Sequence, residues 1–349
     1  MILQMEIAGH PIGSSHPPFI IAELSANHNG SLNRAKETMA AAKESGAHAV
    51  KLQTYTPDTM TIDHDGPGFK IEKGLWSGKT LYNLYQEAYT PWEWHEELYA
   101  YGQQLGIIVF STPFDETALK FLERLGNPVY KIASFELIDL PLIKKCATLK
   151  KPMIMSTGMA NLKEIAEAVN VARESGASEI ALLHCTSGYP TPPNEADINT
   201  LPHLSKAFGA VAGLSDHTKG IGVAVASVAL GASIIEKHFI LNRSDGGPDS
   251  AFSLEPDEFK LLCENVRLAW LALGKVRYEK SDSEHDNVQF RRSIYIIKDL
   301  KAGDKLSEKN CRIIRPGYGL APKYYDLILG RRICENVARG EPLTWKMMK

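Results

Sequence analysis

Two histidines offer the clearest chemistry in the chain. His217 follows the apolar stretch Ala210–Leu214 in Gly213-Leu214-Ser215-Asp216-His217-Thr218, and His238 follows Ile234-Ile235-Glu236-Lys237. Between them, Ile221–Leu230 is rich in Ala and Val and long enough for one helix. Apolar runs with polar ends, separated by a helical segment, read as strand, helix and strand, with an imidazole at the C-terminal end of each strand. In a parallel α/β structure such ends lie side by side at the mouth where ligands bind. Two imidazoles there could share one divalent cation and leave positions open for substrate oxygens. The competing role is a plain hydrogen bond from each ring to a neighbouring loop; a pair at matched strand ends favours the metal.

Lys51 and Lys131 end two further apolar runs, and Thr112, Ser134, Ser156 and Ser215 end others. Two ammonium groups among hydroxyls suit a small polyanion such as a phosphorylated carboxylic acid. A salt bridge to a nearby glutamate is the bland role for either lysine. A Schiff-base lysine is a second enzymatic reading, although it needs no metal and leaves the histidines unused. Glu23, Glu136 and Asp249 are the carboxylates placed for acid–base work or for sugar hydroxyls. Asp249 follows Gly246-Gly247-Pro248 and is equally suited to a plain turn.

These residues need a scaffold that brings them together. Apolar runs at Phe19–Leu24, Ala49–Tyr55, Ile107–Pro113, Val129–Ser134, Pro152–Thr157, Glu179–Thr186, Ala210–Leu214 and Ser233–Glu236 alternate with helical segments, the last being Glu255–Leu273. Eight strand–helix units across about 250 residues predict a closed (β/α)8 TIM barrel. A polar insertion, Thr56–Thr90, interrupts the rhythm after the second strand. An open doubly wound sheet would carry a Gly-rich phosphate turn after its first strand, and Glu23–Asn29 has none. Gly220 and Gly222 lack the third glycine of that fingerprint and read as small residues for close helix packing. Every strand ends in a polar group, which a non-catalytic scaffold, such as a carbohydrate- or ice-binding protein, would not require.

The composition changes after Gly274. Residues 1–275 are expected to form the barrel, 276–289 a linker, and 290–349 a small β-rich domain. Ala302-Gly303-Asp304-Lys305-Leu306-Ser307 and Arg339-Gly340-Glu341-Pro342-Leu343-Thr344 repeat one turn pattern within it. Such a domain is marginal in stability unless docked on something. An apolar fraction of 44%, a charged fraction of 23% and a net charge of −2 give no reason to expect nucleic acid or a membrane as partner. Five cysteines without a CxxC pair point to a reducing compartment, hence a cytoplasmic protein. The N-terminal residues lack the basic and apolar regions of a signal peptide.

As a set, these segments resemble the sialic acid synthase family. The resemblance is carried by Ile21-Ala22-Glu23, Lys51-Leu52-Gln53, Phe110-Ser111-Thr112-Pro113-Phe114-Asp115, Tyr130-Lys131-Ile132-Ala133-Ser134-Phe135-Glu136 and Met155-Ser156-Thr157-Gly158-Met159. Leu214–Thr218, Glu236–Phe239, Gly247-Pro248-Asp249 and Arg315-Pro316-Gly317 complete it, over nearly the whole chain. Within the family, Trp76–Tyr85, Ala88–His95 and Glu23–Asn29 most resemble the pseudaminic acid synthase branch.

The resemblance implies a barrel followed by an antifreeze-like (SAF, β-clip) domain. It implies condensation of phosphoenolpyruvate with an open-chain N-acetylated amino sugar, 2,4-diacetamido-2,4,6-trideoxy-altrose in that branch, or the precursor of neuraminate or legionaminate in its sisters. It implies a divalent metal (Mn2+, Mg2+ or Co2+) on His217 and His238. Lys51, Thr112, Lys131, Ser134, Ser156 and Ser215 match phosphoenolpyruvate-binding positions; Glu23, Gln53, Tyr189 and Asp249 match sugar-contacting ones. Glu136 matches a carboxylate suited to the attacking water. Arg315 matches a residue that reaches from the SAF domain into the barrel of the partner subunit of a homodimer.

Overall fold

The computed structural model describes residues 3–349; Met1 and Ile2, where the reading of the N-terminus began, lie outside the described residues. The chain divides into two compact units, Met1–Gly274 and Lys275–Lys349.

The first unit opens with an antiparallel hairpin, β1 (Gln4–Ile7) and β2 (His10–Gly13), which the sequence reading did not anticipate. Eight parallel strands follow: β3 (Phe19–Glu23), β4 (Ala49–Thr54), β5 (Ile108–Pro113), β6 (Tyr130–Ile132), β7 (Met153–Ser156), β8 (Ile180–Cys185), β9 (Val211–Asp216) and β10 (Ile234–His238). They hydrogen-bond in the order β5-β4-β3-β10-β9-β8-β7-β6. The ladder has one seam, between β5 and β6. There the Asn127 side chain replaces a ladder: its Oδ1 accepts from Ser111 N at 3.0 Å, and its Nδ2 donates to Val129 O at 2.7 Å. The expected TIM barrel is present, helices following each strand.

Strand periodicity sorts the side chains. Ile20, Ala22, Val50, Leu52 and Ile235 pack outward beneath the helices, while Phe19, Ile21, Ala49, Phe110, Ile154, Leu183 and Ile234 fill the lumen. Met5, Ile7 and Ile12 of the hairpin join that inner cluster as a plug at its N-terminal end. Burying each such aliphatic or aromatic side chain contributes about 1.5–3 kcal/mol. Gly213 is required inside: a Cβ there would lie 2.6 Å from Ile234 O and 2.5 Å from Leu183 Cδ2. Above this apolar floor the inward positions become polar.

The helices end where local chemistry ends them. Ser31 caps Leu32–Glu44 by accepting from Arg34 N, and Asn161 forms a capping box on Leu162–Glu174. The segment before β5 begins as a 3-10 turn, Trp92–Trp94, and becomes α-helical only from His95 to Leu105. The Thr56–Thr90 insertion holds two short helices, Pro57–Met60 and Leu81–Ala88. Close helix packing does not explain Gly220 and Gly222, since a Cβ at either would meet nothing within 4 Å; Gly220 instead serves a left-handed turn at φ +72°. No helix is long and apolar enough to cross a membrane among the described residues.

The second unit holds an antiparallel pair, β11 (Ser293–Ile296) and β12 (Cys311–Ile314), around a core that includes Ile294, Ile296, Leu306, Ile328 and Leu343. Lys275 already belongs to this unit, and 3-10 turns at Asp282–Glu284 and Asp286–Phe290 occupy the stretch read as a linker.

Candidate active site

Above the apolar floor, β3, β4, β6, β9 and β10 each present a polar side chain to the lumen. Glu23 pairs in register with Lys51 on one side and His238 on the other, and Glu236 with Ser215. The Lys51 ammonium lies 2.5 Å from Glu23 Oε2 and 3.7 Å from Glu236 Oε1, and Lys131 lies 3.4 Å from the same Glu236 oxygen. Ser215 Oγ donates to it at 3.3 Å. The two lysines do converge, and the salt bridge to a glutamate, weighed as the bland alternative, is present as well. Glu236 was not among the residues singled out for the site, yet it bridges both lysines. Two polar neighbours at a strand end give no signal of which one faces inward.

Burial opposes charge on all four groups, and the pairing decides the outcome. At Lys51 the two carboxylates outweigh burial and push the pKa up; at Lys131 burial prevails and pulls it down. Burial raises the Glu23 pKa despite Lys51, whereas Lys131 and Lys51 overcome burial and hold Glu236 down. Lys51 Nζ reaches Thr112 Oγ1 at 3.4 Å, and Gln53 Nε2 donates to Glu23 Oε1 at 2.8 Å. Ser134 Oγ accepts from Gly158 N at 3.1 Å. Ser156 Oγ and one carboxylate oxygen each of Glu136 and Glu236 are buried with no hydrogen-bond partner. Such orphaned groups on one rim are acceptors and donors left for a ligand. Glu136, in the 3-10 turn after β6, is pushed up to about 7, chiefly because burial strips water from its carboxylate.

His217 and His238 face one another with ring centroids 5.4 Å apart. Nδ1 of His217 lies 3.1 Å from Thr186 O; a carbonyl only accepts, so Nδ1 carries the proton and donates, and Nε2 keeps its lone pair. His238 Nδ1 lies 3.1 Å from Ser25 Oγ and 4.0 Å from Asp249 Oδ2. Burial, then the neighbouring His217 and Lys51, hold His238 well below the usual imidazole value, so it is neutral. Burial lowers the His217 pKa, but Cys185 and the Thr186 carbonyl outweigh it and push it up, so this ring would give up a proton on binding a cation. Two imidazoles whose Nδ1 atoms are held by the protein fit a divalent cation with open coordination positions. Among the described residues no cluster of three or more His, Cys, Asp or Glu forms a closed metal cage.

Several contributors escaped the sequence reading. Ser25 adopts a left-handed φ of +43°, which a serine seldom signals, and this turns its hydroxyl toward His238. Cys185, not His184, is the residue of β8 near the site: its Sγ is 3.7 Å from His217 Nδ1, while His184 Nε2 is 2.7 Å from Ala196 O. Lys237 also points away from the lumen, because β10 turns Glu236 and His238 inward; its ammonium is buried against Asp216. An aromatic wall closes one side, with Tyr189 at 4.5 Å from His217 and Phe252 at 4.8 Å from His238, ring to ring. Trp76 of the insertion packs against Tyr189, with ring centroids 5.6 Å apart and planes tilted by 49°, and donates Nε1–H to Pro248 O at 2.8 Å, beside Asp249. Arg315 is exposed at the end of β12 in the second unit.

Residues 38–278 match the model of the NeuB family, and residues 291–349 match the SAF domain. The chain is 45% identical to the pseudaminic acid synthase of Helicobacter pylori over 94% of its length and 97% of that protein's. It is 40% identical to the N,N'-diacetyllegionaminic acid synthase of Campylobacter jejuni, over 92% of this chain and 97% of the relative. Among solved structures, the N-acetylneuraminic acid synthetase of Leptospira borgpetersenii, in complex with citrate, superposes with a TM-score of 0.74 at 30% identity, covering 83% of this chain and 97% of that one. By its barrel, its lumen residues and its two matched segments, the chain belongs to the NeuB family and carries a C-terminal SAF domain.

Proposed function

We propose that this protein is a pseudaminic acid synthase. It condenses phosphoenolpyruvate with 2,4-diacetamido-2,4,6-trideoxy-altrose to give pseudaminic acid and inorganic phosphate. The observation that carries the reading is the shared lumen: two imidazoles 5.4 Å apart beside two buried lysines joined through Glu236. The choice of sugar follows the 45% identity to the Helicobacter pylori enzyme and the Trp76–His95 segment, which packs over the site through Trp76.

Lys51 and Lys131 hold the carboxylate and phosphate of phosphoenolpyruvate, with Thr112, Ser134, Ser156 and Ser215 supplying hydroxyl donors. Gln53, Tyr189 and Asp249 line the side where the sugar would lie. A divalent cation on His217 and His238, Mn2+ or Mg2+, would polarise the sugar aldehyde as a Lewis acid. C3 of phosphoenolpyruvate forms the new C–C bond with the aldehyde carbon, whose carbonyl electron pair moves to oxygen. The cationic character left at C2 is offset by the Glu23 carboxylate. Water adds at C2 and gives its proton to Glu136, whose affinity near neutrality suits a general base. The C2–O bond to phosphate then breaks with its pair leaving on phosphate, which takes the proton back from Glu136, while the C2 hydroxyl becomes the keto group and its proton ends on the sugar alkoxide. Lys51, kept protonated between Glu23 and Glu236, is poorly suited to the Schiff-base route.

A homodimer in which the SAF domain docks on the partner's barrel is part of the same proposal. Its support is charge. Residues 1–274 carry 22 Lys and Arg against 31 Asp and Glu, net −9, while residues 275–349 carry 17 against 10, net +7. Surfaces of opposite sign steer association.

The test is turnover with competing sugars. Purified protein with phosphoenolpyruvate and Mn2+ is offered the altrose diacetamide, N-acetylmannosamine and the legionaminate precursor, and products are weighed by mass spectrometry. Pseudaminic acid with stoichiometric phosphate is expected. A preference for either other sugar reassigns the substrate, and borohydride trapping of a substrate–lysine adduct would replace the mechanism.

A further inference from the structure

We propose that the buried Asp216–Lys237 ion pair is a positioning device that fixes the separation and aim of His217 and His238. The inference rests on the metal reading above.

Asp216 and Lys237 are paired across β9 and β10, each one residue before a site histidine. Their side chains are 1% and 0% exposed and lie on the face of the sheet opposite the lumen. Lys237 Nζ donates to Asp216 Oδ2 at 2.7 Å and to Thr218 O at 2.6 Å. Asp216 Oδ1 accepts from Thr218 N at 2.9 Å and from Thr218 Oγ1 at 2.7 Å. Lys237 therefore grips both residues that flank His217, while its own backbone carries His238. The Asp216 carboxylate closes the turn in which His217 is the middle residue.

Stability alone does not account for this arrangement. Two buried charges lose their hydration, and apolar side chains of similar volume serve packing as well or better. What apolar residues lack is direction. Past β9 the ladder thins to a single bridge, in which Thr191 N donates to His217 O at 3.0 Å, so the angle at which the His217 side chain leaves the strand also depends on side-chain bonds. The pair supplies four such bonds, all converging on residues 216 and 218. Groups that orient metal-binding imidazoles from behind typically change metal affinity 10- to 100-fold when removed.

The experiment compares the full-length protein with the double variant Asp216→Leu/Lys237→Met, which removes both charges together. Mn2+ is titrated calorimetrically into each metal-free protein, and thermal melting is followed without metal. The expected result is a variant that melts within a few degrees of wild type yet binds Mn2+ at least tenfold more weakly, with phosphoenolpyruvate affinity changed less than about twofold. Unchanged Mn2+ affinity in the folded double variant overturns the positioning role and leaves the metal reading intact. A wild-type protein that binds no Mn2+ overturns the metal reading and this inference with it. Should the double variant fail to fold, Thr218→Val, which removes only the hydroxyl bond to Asp216, takes its place: threefold weaker Mn2+ binding is expected, and wild-type affinity overturns the proposal.

Discussion

The Lys51 ammonium sits 2.5 Å from the Glu23 carboxylate with 5% and 1% of the two side chains exposed. Breaking such a pair from one side leaves an uncompensated buried charge, at a cost of about 3–5 kcal/mol. Lys51→Met should therefore lower stability by that order in urea unfolding and abolish phosphate release. Glu23→Gln keeps the size and the hydrogen-bonding oxygen that Gln53 uses, so its stability loss should be the smaller one while turnover falls at least 100-fold. Equal destabilisation by the two variants would contradict a site in which Glu236 remains as the second partner of Lys51.

Glu136 gives a pH signature. Burial raises its pKa to about 7 from an ordinary carboxylate value. With the base form of Glu136 as the proposed acceptor of the water proton, kcat/KM should rise with pH and level off above about 7. Glu136→Gln should erase this limb and lower kcat by a factor of about 10²–10⁴. Stability runs the other way. Between pH 4.5 and 7 the folded state holds a proton that the unfolded chain has released, so the folded protein loses stability as pH rises through that window. Glu136→Gln, which mimics the protonated form, should match wild type at pH 4 and melt above it at pH 8. A rate profile unchanged by the substitution would assign the proton to another group.

The rhythm of apolar runs and helical segments was enough to read the barrel, because a buried parallel strand leaves few positions ambiguous. The lumen was harder to read. Lys51, Lys131, His217 and His238 stood out as charged or titratable ends of apolar strands, and all four face inward. Lys237 and His184 lie at strand ends of the same kind and face outward, because adjacent polar residues at a strand end carry no absolute phase. Ser25 and Phe252 gave no signal: one depends on a left-handed backbone angle, the other on a loop that folds back over the imidazoles. The plug made by β1 and β2 was missed because four-residue strands around Ala8 and Gly9 are too short for a period to register.

Asn127 predicts a different kind of failure. Its side chain bonds Ser111 N, Val129 O and the Tyr99 hydroxyl across the β5–β6 seam, all within 3.0 Å. Asn127→Ala leaves two buried backbone groups without partners, each costing about 1–3 kcal/mol. A loss of about 3 kcal/mol should lower Tm by roughly 6–12 °C, on a scale of about 2–4 °C per kcal/mol for a unit of this size. Thr112 and Lys131 lie near the seam but are not bonded to Asn127, so kcat and both KM values at 20 °C should stay within twofold of wild type. A large activity loss without a fall in Tm would show that the seam sets site geometry and does more than close the barrel.

Arg315 tests the dimer. It is exposed at the end of β12 in a unit of net charge +7, while the barrel unit carries −9. If the SAF domain of one subunit completes the sugar side of its partner's barrel, Arg315→Ala should raise KM for the sugar about tenfold or more and leave KM for phosphoenolpyruvate nearly unchanged. The SAF core around Ile294, Ile328 and Leu343 does not involve this side chain, so Tm should not move. Opposite net charges also predict a salt effect, because the Debye length falls from about 10 Å at 0.1 M to about 3 Å at 1 M. Sedimentation velocity should then show a dimer at low ionic strength that weakens as salt rises, in step with the KM for the sugar. A sugar KM untouched by Arg315→Ala, or a monomer with full activity, would remove the partner subunit from the site.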